Sequence, residues 1–193
     1  MQAQGRFIKY HNRGRPGVGV GSIMGESFGI PAMTTSTMAT AEKTRHAFFA
    51  ARATMQTIET LWELATYADR PYGGDTEDLS PAAHKFAADE DWDLTATRDA
   101  IGEAVTDYAR ELPLSVLIRS DWHEVGAEST GSEFEILLST GGPAVRVLGD
   151  LDSYSEPYRP GLQFSDWGVD WTDHPESNCD ALLWFAGLFY FGS

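Results

Sequence analysis

Between Phe164 and His174 the chain reads FSDWGVDWTDH, with two tryptophans, three aspartates and a histidine in eleven residues. Several chemistries could use such a stretch. Asp166, Asp170 and Asp173 could offer oxygens to calcium, but their spacing is not that of an EF-hand loop. His174 could join Asp121 and His123, from the segment SDWHEVG, around a hydrolytic metal. Such a metal needs two or three oxygen or imidazole ligands converging on one point. Trp167 and Trp171, rimmed by carboxylates, could instead seat an Arg- or Lys-rich partner. Tryptophan is favoured at interface centres, and acids steer association. The plainest reading is a structural corner. Gly168 and the aspartates disfavour a helix, so the segment turns over a sheet edge with its acids toward water and its tryptophans pinning the loop.

Other residues offer weaker chemistry. Cys179 is the only cysteine and opens a predicted helix, where a thiol's pKa falls. With His174 five residues away a nucleophile is conceivable, but a buried inert thiol is the expectation. Glu133 and Glu135 alternate along a predicted strand and so share a face, as an acid–base pair or simply as an exposed polar row. Asp121 is expected to cap a turn while Trp122 packs inward. GVGVGSIMGE has the glycines of a phosphate loop, yet no Lys-Ser or Lys-Thr follows Gly25 and no clear strand precedes Gly17. The chain has no nucleophile elbow, HExxH or CxxC.

The elements that must position these residues follow from periodicity. Residues 1–33 are glycine-rich and basic, with no steady period, and read as a flexible arm. Orderly patterning begins only after Met33 and Met38, either of which could be the physiological start. The remainder, 34–193, reads as one α+β domain with a helical part (34–112) and a sheet-plus-helix part (113–193). Phe48, Ala51, Met55, Ile58, Trp62 and Ala65 form one stripe of a helix over 44–68. Ser80-Pro81 is an N-cap and first-turn pair opening a short helix to about Ala88. Ile101, Ala104, Val105, Tyr108 and Leu112 make a second stripe, closed by Pro113. The period then shortens. Residues 114–120, 133–139, 144–151 and 161–167 are short β-rich runs, with STGGPA as a hairpin between the second and third. Such short connections favour antiparallel pairing, because a parallel crossover needs about a dozen residues or more. Ser177 and Asp180 resemble a capping box before ALLWFAGLFYFG, a helix so apolar that a sheet, other helices or a second subunit must cover it. The expected fold is α+β: N-terminal helices, a four-stranded, mainly antiparallel sheet, and a C-terminal apolar helix packed on the sheet.

The net charge is −15 in 193 residues, although the arm is basic. An acidic surface repels nucleic acid and anionic membrane, because neither gains the counterion release that drives phosphate binding. It fits a basic protein partner, or serves only solubility. One cysteine, no apolar signal core and no run of the ~20 apolar residues that span a bilayer point to the cytoplasm.

FEILLSTGGPAVRVLGDL, LQFSDWGVDWTDH and ALLWFAGLFYFG together resemble a set of small, acidic, mostly uncharacterised proteins of bacterial phages, plasmids and integrated elements. The resemblance spans residues 114–193 and is strongest at 135–146 and 163–171. It implies no catalytic residue and no cofactor. It does imply a mobile-element setting, where small acidic proteins often bind host proteins, including restriction and CRISPR nucleases, some by mimicking the charge of DNA. The leading expectation is thus a non-enzymatic protein that binds a basic protein of the bacterial host through Asp166, Trp167, Asp170, Trp171, Asp173 and Trp122. The alternatives are a metal-dependent hydrolase using Asp121, His123 and His174, and a homodimeric assembly protein joined by its final helix.

Overall fold

A stripe of apolar residues three and four apart organises the first helix, α1 (Thr35–Ala68). Ala47, Ala51, Met55, Ile58, Leu61 and Leu64 are buried, with Phe48, Trp62 and Ala65 partly buried beside them. The computed structural model describes residues 35–70, 75–122, 124–125 and 131–192, with side chains from Glu42 onward. The N-terminal arm, His123 and Gly25 therefore lie outside the described residues. The helix starts about two and a half turns before the expected Thr44.

A 3-10 turn (Thr76–Asp78) precedes α2 (Pro81–Asp89) and α3 (Arg98–Glu111). Ser80 caps α2 by accepting from the Ala83 N–H, with proline in the first turn. The Glu63 carboxylate of α1 accepts from both the Ser80 N–H (2.6 Å) and its hydroxyl (2.7 Å), which ties the two helices together. Thr97 caps α3 in the same way. Between α2 and α3, Trp92 is not a free turn residue. It meets Phe86 and Tyr108 edge-on, so the DEDWD segment carries a small aromatic cluster.

The rest of the fold is an antiparallel meander: β1 (Ser115–Ser120), β2 (Gly131–Ser139), β3 (Ala144–Leu151), β4 (Pro157–Ser165) and β5 (Thr172–Asp173), in that spatial order. The sheet has five strands where the periodicity predicts four. The fifth is two residues long, too short to show a period. Phe134, Ile136, Val145, Val147, Leu162 and Phe164 point to the helices and are buried. Glu133, Glu135, Arg146, Leu148 and Gln163 fall on the opposite face. The last helix, α4 (Cys179–Ala186), contacts β4 and α1, and buries Ala181, Leu182, Phe185 and Ala186 inside the same chain. Its cap is Asn178, not the expected Ser177. The Asn178 side chain accepts from the Asp180 and Ala181 N–H groups, while the Ser177 hydroxyl donates to the His174 carbonyl. The helix ends at Gly187, and Phe191 returns to pack on Phe134. Among the described residues no helix is long and apolar enough to cross a membrane.

Gly149 sits opposite Phe134 in the β2–β3 ladder, and its bare α-carbon is what lets the Phe134 ring lie down. A β-carbon there would fall 2.6 Å from the ring and 3.1 Å from the Pro160 backbone. Gly149→Ala is expected to cost about 2 kcal/mol through overpacking, read as a lower urea midpoint. An unchanged midpoint would show that the ring has room to move.

Candidate functional site

The site is built where β4 turns into β5. Arg146, on the middle strand β3 and on the outer face of the sheet, is its hub. Its guanidinium bonds Glu135 on β2 at 2.5 Å and, through two N–H groups, Gln163 on β4 at 2.9 and 2.8 Å. Gln163 passes the chain on, donating to Asp173 of β5 at 2.8 Å. The register explains the row: Arg146 lies opposite Gln163, and Gln163 opposite Asp173. The Trp171 ring lies over the guanidinium, 4.1 Å from its carbon, in cation–π geometry. One arginine thus holds the loop that carries both tryptophans.

Trp167 is held from three sides. Its indole N–H donates to the Gly141 carbonyl at 2.5 Å, its backbone N–H to the Asp166 carboxylate at 2.7 Å, and its carbonyl accepts from Lys43 of α1 at 3.5 Å. The ring lies against the GGP turn of the β2–β3 hairpin. A β-carbon at Gly142 would come within 2.4 Å of it, and Gly141 and Gly142 both have positive φ, which glycine adopts without cost. Despite these ties, Trp167 remains 70% exposed. Asp170 beside it is also exposed. The corner therefore presents a fixed aromatic face bordered by carboxylates. Trp167 and Trp171 also pin the loop, as the reading of a structural corner expects.

Elsewhere on this face acidity is neutralised. Glu133 pairs with Arg119 and Glu135 with Arg146, so the two glutamates are not a free acid–base pair. Asp166 and Asp173 each accept a specific hydrogen bond. Among the described residues no group of three or more potential ligands could hold a metal.

Trp122 does not join this corner, contrary to expectation. It follows β1, at the opposite edge of the sheet from β5, and it is fully exposed where inward packing is expected. The same topology separates the hydrolase residues. Asp121 follows β1 and His174 follows β5, four strand spacings or about 19 Å apart. These two cannot share a metal, and His123 lies outside the described residues. Cys179 is exposed, not buried, with its thiol 3.8 Å from the Pro160 carbonyl.

His174 is in the core. It is 4% exposed, stacked on Phe48 of α1 (5.1 Å between centroids) and edge-on to Phe164. Neither ring nitrogen has a hydrogen-bond partner among the described residues. Burial lowers its pKa, with Arg52 acting in the same direction while Glu176 and Glu59 oppose it. The folded protein therefore keeps His174 neutral at pH values where the unfolded chain binds a proton. Unfolding takes up that proton, so this contribution is intact above about pH 6.5 and is lost as pH falls toward the depressed folded value. Stability is expected to decline from pH 7 to 5, and His174→Phe to flatten that part of the curve. Parallel curves for the two proteins would contradict this.

Compared with models of protein families, with curated proteins and with solved structures, the chain shows no match.

Proposed function

We propose that this chain is a non-enzymatic binding protein of a bacterial mobile element, and that its β4–β5 corner engages a basic protein of the host, such as a defence nuclease. The observation that carries the proposal is Trp167: a large aromatic, 70% exposed, whose ring is held by its indole hydrogen bond and whose backbone is held by two more. Immobilising such a ring before contact removes much of the ordering cost of association. Asp170 and Asp173 border it and favour a partner rich in arginine or lysine. The overall charge of −15 draws such a partner in at long range. The chain's resemblance to small acidic mobile-element proteins supports the same reading.

The test is recovery of the tagged full chain from a bacterial host at about 50 mM salt and at rising salt. A basic nuclease or nucleic-acid-binding protein should be retained at low salt, released as salt rises, and lost with Trp167→Ala. A chain recovered alone, or a partner indifferent to both changes, would overturn the proposal.

A further inference from the structure

Exposed large hydrophobic residues concentrate at the far edge of the sheet. Of the eleven large hydrophobic residues exposed in the described structure, five fall between 114 and 125: Leu114 (60%), Leu117 (55%), Ile118 (49%), Trp122 (104%) and Val125 (106%). They flank β1, an edge strand whose outer side pairs with no described residue. Edge strands are usually protected by lysine, proline, a bulge or a covering element. β1 contains no lysine or proline, its one register shift falls at its last step, between Arg119 and Ser120, and Leu117 and Ile118 are exposed on opposite faces.

We infer that β1 pairs antiparallel with β1 of a second copy of this chain, joining two sheets edge to edge. Self-pairing suits this strand's charge pattern. Its one ionic residue is Arg119, already paired with Glu133. With a twofold axis at Leu117, that residue meets its twin, Val116 meets Ile118, and Arg119 meets Ser115. No like charges face each other along the strand. Area supports the same occupant. The five side chains expose on the order of 600 Å² of apolar surface per copy, close to the ~800 Å² each partner buries in a standard interface. Trp122 and Val125 at the strand's end supply the bulk of it. The strand order leaves both Trp167 corners at the outer edges, so the inference does not depend on the proposed function.

Sedimentation equilibrium of the purified full chain, from about 1 to 100 µM, tests it. The expected result is twice the 21.2 kDa chain mass at the upper concentrations, with association tightening in salt as the two −15 charges are screened. This salt response is opposite to that of the basic-partner complex, so the two ideas can fail separately. Leu117→Lys and Ile118→Lys should each weaken dimerisation at least ~10-fold. Hydrogen exchange of the unmodified chain is the second measurement, with protection at 115–120 expected to rise with concentration. A chain-sized mass at 100 µM would overturn the inference, including the case in which β1 takes a strand from another protein. So would a dimer indifferent to both lysines, or exchange at β1 independent of concentration.

Discussion

Replacing Arg146 by alanine is expected to destabilise the protein by about 3 kcal/mol and to release the β4–β5 corner. The arginine side chain is 19% exposed and its partner Glu135 26%, so neither is fully solvated. Truncation leaves the Glu135 carboxylate and the Gln163 carbonyl without their donors, and Trp171 without the cation beneath it. Breaking a buried pair from one side costs roughly 3–5 kcal/mol, and partial exposure puts this one at the low end. Arg146→Lys keeps the charge but not the planar fork or the flat stack, so it should recover about half of the loss. Urea unfolding with an unchanged slope is the measurement. An alanine variant within about 0.5 kcal/mol of the parent would place Arg146 among ordinary surface ion pairs.

Trp167→Ala should leave the fold nearly intact and weaken the captured host protein at least ~30-fold, about 2 kcal/mol, as expected for a central aromatic anchor. At 70% exposure the ring contributes little to the core, so a binding loss is not an unfolding loss. Asp170→Lys is expected to act differently, by slowing association and flattening its salt dependence, because a rim carboxylate steers more than it anchors. Titration calorimetry separates the two effects from stability. Equal affinity for Trp167→Ala and the parent would remove the corner from the interface.

The strands were legible because alternation and turn chemistry agreed. Phe134 and Ile136 alternate with Glu133 and Glu135, and the GGP turn fits the hairpin it forms. The caps of α2 and α3 were legible for the same local reason. Failures came where the answer depended on order in space. Residue type grouped Trp122 with Trp167 and Asp121 with His174, but a meander sets β1 and β5 at opposite edges. Arg146 was missed as the hub, although one arginine on the outer face of β3, sharing that face with the glutamates of neighbouring β2, was a usable signal. His174 read as chemistry because histidine is usually polar surface or ligand. Only its placement between Phe48 and Phe164 makes it a core residue.

The order of elements also has a consequence during synthesis. The stripe of α1 is complete by Ala68, but α4, which covers part of it, begins only at Cys179, about a hundred residues later. At elongation rates of up to ~20 residues per second, α1 leaves the ribosome several seconds before that partner exists. Through that interval α3 and the strands can already cover much of its apolar face, and only the part that α4 covers stays open to chaperones.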